Sequence, residues 1–307
     1  DNDESRQKIM EDHQINLIKV DVQNKDGSGP PYEWINTNFW ELFDENQYDY
    51  VSSARSGYPE YPFHLINKTK IIDTIHGQDG EDKVNISKVI LLCEWQAKQW
   101  SENGGNIAKA TVIPTLVKVP PKTPSLLRQK LSIPSDAFVY GFHQGDREDI
   151  YSPVSLEAYN QIKNENNYFI IMGASEQHRK FAEQINCPHI KFIDFSSCVN
   201  DIHDFLGGID VFAHARNDGE VCSAAIIEAL YHGKPVISHP AMNMGHQEQI
   251  EGCGKMVYSV QEYAQEMLTL EQNDAYYQTL SLAAEEKYTA KYSYTTIRDK
   301  ILQLYKT

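Results

Sequence analysis

Short runs of apolar, β-branched residues recur along the chain, bounded by polar residues and separated by stretches of helical spacing. That alternation predicts parallel sheets covered by helices on both faces. A first set of runs predicts strands over 16–22, 48–53, 70–75, 88–93 and 110–114, after an opening helix over 4–12. A helix over 94–103 follows the fourth of these and stops at Gly104-Gly105. Pro120, Pro121 and Pro124, with Lys118 and Lys122, then make a stiff polar connector over 117–125. Beyond it the alternation is more regular, with strands over 138–142, 168–172, 189–193, 211–214 and 235–238. Helices over 154–164, 176–184, 199–207 and 222–231 separate them. From Val260 onward the pattern is helical, and the last segment repeats Ile297, Ile301, Leu304 and Tyr305 at helical spacing.

The expected fold class is therefore α/β: two doubly wound, Rossmann-like domains with a helical C-terminal tail. We place a first domain at 1–120, a second at 121–290 and a C-terminal helix at 291–307 that can pack back on the first domain. Two such sheets make a cleft between their strand carboxyl ends, where ligands of open α/β sheets bind.

Charge narrows the partners. Against 28 Lys and Arg stand 43 Asp and Glu, a formal charge of -15, so the overall field repels phosphate backbones and nucleic acid is not expected as a partner. No apolar run is long enough to span a bilayer. Cys93, Cys187, Cys198, Cys222 and Cys253 are odd in number, widely spaced and free of any C-x-x-C pattern, which suggests a reducing cytoplasm and no structural zinc. No spacing of ligating residues argues for a catalytic metal, and none is expected.

The sharpest chemical signal is Asn217-Asp218-Gly219-Glu220-Val221-Cys222-Ser223, running on to Glu228 and then Gly233-Lys234-Pro235-Val236-Ile237. A strand feeds a Gly-containing loop and then a helix start, whose free N–H groups suit a phosphate. Glu220 can accept hydrogen bonds from sugar hydroxyls, and Glu228, two turns on, can reach a ribose diol. The same spacing also fits an ordinary strand-loop-helix unit with two surface glutamates.

This segment resembles the E-x7-E motif of the retaining, family-4 type glycosyltransferases of the GT-B fold, with their downstream G-x-P-V-I strand. Leu131-Ser132-Ile133-Pro134 before the 138–141 strand is similar to the entry of their nucleotide-binding domain, and Gln249-Ile250 and Cys253-Gly254 to their post-motif loop. The resemblance implies that Glu220 contacts the donor sugar, that Glu228 binds the ribose, and that the turn at Gly219 with the amides of Val221, Cys222 and Ser223 holds the diphosphate. Family members carry glycines around an aromatic here, where this chain has Val221, Cys222 and Ser223. They also place Arg and then Lys after the first strand of the domain. In Gly141-Phe142-His143-Gln144-Gly145-Asp146-Arg147 only Arg147 matches, with His143 a substitute for the second cation. Arg147 could equally pair with Asp146 or Asp149.

In the first domain, His76 follows a predicted strand and resembles the strand-end histidine beside the donor sugar in the same transferases; a lone histidine is also often structural. The loop Arg55-Ser56-Gly57-Tyr58-Pro59-Glu60-Tyr61-Pro62 is a candidate for the acceptor side. The family's opening strand and glycine loop have no counterpart before 16–22, so the expectation is either a shortened amino-terminal domain or a unit that lies outside this sequence. The expected function is retaining transfer of a sugar from a nucleoside-diphosphate sugar to a hydroxyl of an unknown glycan, lipid-linked or small-molecule acceptor. A nucleotide-sugar 2-epimerase, and a non-catalytic nucleotide- or glycan-binding protein with a degenerate transferase fold, are the alternatives.

Overall fold

The structure is a computed structural model that describes residues 8, 10–15, 40–55, 65–77, 85–145 and 147–306. The strand expected over 16–22, residues 56–62 of the candidate acceptor loop and Asp146 lie outside the described residues, as does most of the helix expected over 4–12.

The first sheet has four parallel strands in the order β1-β2-β3-β4: Tyr50–Arg55, Lys70–Ile75, Ile86–Leu91 and Ala110–Val112. One helix among them, α1 (Glu94–Glu102), leaves the carboxyl end of β3 and lays Ala97 and Trp100 onto Ile66, Ile71, Ile75, Val89 and Leu91. The second sheet has six parallel strands in the order β10-β9-β8-β5-β6-β7. These are β5 (Phe138–His143), β6 (Asn167–Met172), β7 (Ile190–Ile193), β8 (Val211–Ala213), β9 (Val236–Ser238) and β10 (Gly254–Met256). Read from its other edge, this is the doubly wound order in which the chain starts at the centre, builds one half, and returns to build the other beside its first strand. All six residues of β6 are buried, as a parallel strand covered on both faces must be.

Helices α2 (Leu127–Lys130), α3 (Val154–Ile162), α4 (Glu176–Ile185), α5 (Val199–Gly208), α6 (Ala224–Tyr231) and α7 (Gly245–Ile250) connect this sheet, and α8 (Val260–Gln272) and α9 (Asp274–Lys287) complete its cover. The connector over 117–125 is without regular structure and is pinned to the second unit, where Tyr231 donates to the Pro120 carbonyl at 2.7 Å and Lys122 pairs with Glu285 at 2.6 Å. A π-helical turn at Tyr288–Tyr292 leads into α10 (Tyr294–Lys306), which crosses to the first sheet. There Ile297 and Leu304 pack on Ile72, Ile90 and Ile113, Tyr305 meets Tyr50 edge-on at 5.4 Å, and Lys88 donates to the Leu304 carbonyl. Three elements went unforeseen in the sequence, α2, α7 and β10; all are short and lack a clear apolar period.

The last helix thus belongs physically to the first unit. Ile297 is fully buried, so Ile297→Ala is expected to lower the unfolding free energy by about 2–5 kcal/mol through lost burial and a residual cavity. Urea denaturation monitored by tryptophan fluorescence checks it.

Candidate donor site

In the second sheet the chain winds away from β5 in one direction and from β8 in the other, and these two strands are hydrogen-bonded neighbours through Tyr140↔Val211 and Gly141↔Phe212. Their following loops diverge, leaving a crevice at the carboxyl ends. A cavity of about 360 Å³ fills it, lined from the β5 side by His143, Gln144 and Gly145 and from the β8 side by His214, Arg216 and Glu220. Ala224, Ala225 and Glu228 of α6 form its floor, and Phe195, Ser196 and Ser197 after β7 its outer wall.

Both acids singled out in the sequence reach this cavity. Glu228 is buried, with Oε2 3.2 Å from His143 Nε2, although the two are not aligned as a hydrogen bond. Glu220 accepts from His214 Nε2 at 2.9 Å, and Arg216 Nη1 lies 3.7 Å from its other oxygen. Burial by itself would raise the pKa of Glu220; the His214 hydrogen bond and charge, the Arg216 charge and a Ser223 hydrogen bond outweigh it and bring the carboxyl down to about 2. Glu220 is therefore an anion at any working pH.

The loop before α6 is fixed by close backbone contacts. Gly219 has φ +64, and a Cβ there would lie 2.1 Å from the Asn243 carbonyl oxygen, so only glycine allows the bridge between Gly219 and Asn243. Ser223 caps α6, its hydroxyl accepting from Ile226 N–H, while its own N–H donates to Gln249 Oε1 at 2.7 Å and its carbonyl accepts from Gln249 Nε2 at 3.0 Å. The amide of Ser223 is thus engaged within the protein. The helix begins two residues later than the sequence suggested, and among the described residues the amides of Ala224 and Ala225, two residues of the lining, meet no protein acceptor. Val221 and Cys222 turn the other way, packing with Leu92, Cys93 and Trp95 of the first unit.

The remaining candidates are placed as follows. Arg147 is exposed, its guanidinium pairs with Asp149, and it is not among the residues lining the cavity. The lining arginine is Arg216, one-fifth exposed and held at 3.0 and 2.7 Å by both oxygens of Asp218. His76 is exposed directly after β2 and likewise outside the lining. His214 and Arg216 were missed in the sequence. Their one available signal was position, immediately past a strand that ends at the switch point.

Two nitrogens in the wall, His143 Nε2 and Gln144 Nε2, are buried without a hydrogen-bond partner. Such groups cost about 1–3 kcal/mol each and are kept where something else satisfies them.

Comparison with known proteins agrees with this architecture. Residues 152–273, which contain both acids and the floor of the cavity, match the family model described as glycosyl transferases group 1. No curated protein matches the sequence. A glycosyltransferase from Rickettsia africae superposes with a TM-score of 0.77 at 19% identity, over 97% of this chain and 86% of that one. HepE from Anabaena, solved with UDP-glucose, superposes with a TM-score of 0.74 at 18% identity, over 98% and 89%. Sucrose-phosphate synthase from Thermosynechococcus elongatus gives 0.77 at 15% identity, over 94% and 82%. The fold is that of the two-domain GT-B proteins, and residues 152–273 are similar to the glycosyl transferases group 1 family.

Two buried rings make stability depend on pH. Burial holds His178 and His246 at about 4, against an ordinary 6.5. The unfolded chain takes up protons near 6.5 and the folded chain only near 4, so the stability present above pH 6.5 is lost as the pH falls through that window. The thermal midpoint is expected to drop between pH 6.5 and 4, read by scanning calorimetry; a constant midpoint would mean that both rings are solvated.

Proposed function

We propose that this protein is a retaining glycosyltransferase of the family-4 type, moving a sugar from a nucleoside-diphosphate sugar to an acceptor hydroxyl. The observation that carries the reading is the convergence of Glu220, Glu228 and the free amides of Ala224 and Ala225 on one cavity at the switch point. Glu228 receives the ribose hydroxyls, the diphosphate sits over the start of α6, and Glu220 accepts hydroxyls of the sugar.

In the reaction the bond from the anomeric carbon to the diphosphate oxygen breaks, and its electron pair leaves with the diphosphate. Charge grows on that oxygen, and donors already in place stabilise it without reorganisation. Here they are the two amides and Arg216, whose charge is aimed by Asp218. Arg216 takes the role the resemblance implied for Arg147, which is bound to Asp149. The acceptor oxygen forms the new bond on the face the diphosphate leaves, and its proton passes to the departing group. His76, across the cleft at the end of β2, orients the reacting groups. Protein groups supply the charge stabilisation, and no metal is required. The acceptor is taken to approach from the first unit.

Glycosyl transfer accounts for both acids and the amides together, whereas epimerisation would require further acid and base groups around the sugar ring. The donor is identified by a thermal-shift screen across UDP, GDP, ADP and their glucose and mannose derivatives, since a ligand of the native state raises the melting temperature. Glu228→Ala is expected to weaken binding of the best nucleoside diphosphate by about 1–3 kcal/mol, through loss of a charge-assisted hydrogen bond. Affinity unchanged by calorimetry would remove the ribose from Glu228, and a screen without any shift would remove the transferase reading.

A further inference from the structure

Glu220 is held from two sides by histidines. On its main chain, the N–H donates to His246 Nδ1 at 3.4 Å and the carbonyl accepts from the His246 N–H at 3.0 Å. On its side chain, Oε2 accepts from His214 Nε2 at 2.9 Å, and the far nitrogen of that ring, Nδ1, lies 2.7 Å from Ser238 Oγ. The two rings lie 5.2 Å apart, centre to centre. His246 in turn contacts the His239 carbonyl through Nε2 at 3.1 Å.

The donors and acceptors fix the tautomers. An ionised carboxylate only accepts, so His214 Nε2 is the donor to Glu220, while Nδ1 and the fully buried Ser238 hydroxyl are hydrogen-bonded to each other. His246 accepts at Nδ1 and so donates from Nε2. The groups facing the Glu220 carboxylate are thus His214 and Arg216 from the end of β8, Asp218 through Arg216, Ser223 at the cap of α6, and His246 from α7.

We propose that His214, set by Ser238, is a positioning residue that holds the Glu220 carboxylate ionised and in one orientation, with Oε2 occupied and Oε1 left for a hydroxyl of the donor sugar. The last clause rests on the transferase reading; the hold on the carboxylate does not. His214 touches no reacting atom and acts through Glu220.

The first test needs no ligand. Carboxyl-resolved NMR follows the titration of Glu220 in the wild type and in His214→Phe, His214→Gln and Ser238→Ala. The wild-type carboxyl is expected to stay ionised down to about pH 2, and in His214→Phe its midpoint should rise toward the ordinary 4.5, because burial then acts with one opposing group fewer. His214→Gln keeps a donor and should remain near the wild type. Ser238→Ala, a small change that leaves the ring and its contact with Glu220 in place, should raise the Glu220 midpoint less than His214→Phe does. A Glu220 midpoint unmoved in His214→Phe, or a wild-type His214 protonated on Nδ1 alone, overturns the proposal. The second test compares UDP with UDP-glucose by calorimetry: His214→Phe is expected to lose about 10-fold or more of affinity for UDP-glucose and less than about 2-fold for UDP. Equal loss for both ligands would overturn the sugar-facing role. If neither binds the wild type, the use of this donor fails, while the titration still decides what His214 does.

Discussion

Two consecutive side chains of a six-residue helix set the geometry on which the candidate site depends. Gln249 of α7 satisfies both the N–H and the carbonyl of Ser223, a residue with no solvent exposure. Without it two buried main-chain groups would be orphaned at the very residue that caps α6. Its neighbour Glu248 reaches the other unit, where its carboxylate accepts from Glu94 N–H at 3.0 Å and also from Trp95 N–H. That carboxylate supplements Cys93, whose thiol is a weak acceptor at the cap of α1. The contact is close because position 245 is glycine: a Cβ there would stand 1.8 Å from the Val221 carbonyl oxygen and 2.9 Å from Cys93 Sγ. The loop carrying Glu220 and the first helix of the other unit are therefore referenced to the same short element.

That element was not legible in the sequence, and the reason is physical. The parallel strands announce themselves because both faces are buried, as in β6, where every position is apolar or a bonded Asn. Helix α7 reads Gly-His-Gln-Glu-Gln-Ile, whose buried positions are mostly polar and satisfied by tertiary hydrogen bonds rather than by an apolar stripe. β10 is three residues at a sheet edge, two half-buried around the exposed Lys255, specified by pairing with β9 and not by any period of its own. The same limit moved the start of α6. A serine that caps a helix and one that begins it look alike in sequence, and the difference is whether its amide is taken, here by Gln249. A shift of two residues carries the free amides from the turn into the cavity. The choice between Arg147 and Arg216 was likewise tertiary: each has an aspartate two positions on, and only the fold shows which pair lines the crevice.

A chain with a formal charge of -15 is a poor global host for a diphosphate, so the affinity proposed for it has to be local. Two carboxylates in the cavity deepen that problem. The arrangement answers it by giving Glu220 a hydrogen-bonding and an ionic neighbour, His214 and Arg216, and by setting His143 Nε2 3.2 Å from Glu228, while the start of α6 adds amides and a partial positive charge. Arg216 itself is held by Asp218, which aligns its guanidinium and offsets part of its charge.

The hydrogen-bond inventory of the wall then describes its complement. Among the described residues, the groups of the lining without a protein partner include donors or potential donors: the amides of Ala224 and Ala225, the Gln144 carboxamide nitrogen and His143 Nε2. The lining also carries the carboxylate oxygens of Glu220 and Glu228 as acceptors. An apolar ligand would leave every one of these unpaired in a desolvated site and would lose about 1–3 kcal/mol for each. A purely anionic ligand would satisfy the donors but be repelled by both carboxylates. The ligand proposed above meets both demands, since a diphosphate linking two sugars brings anionic oxygens to the donors and hydroxyls to the carboxylates.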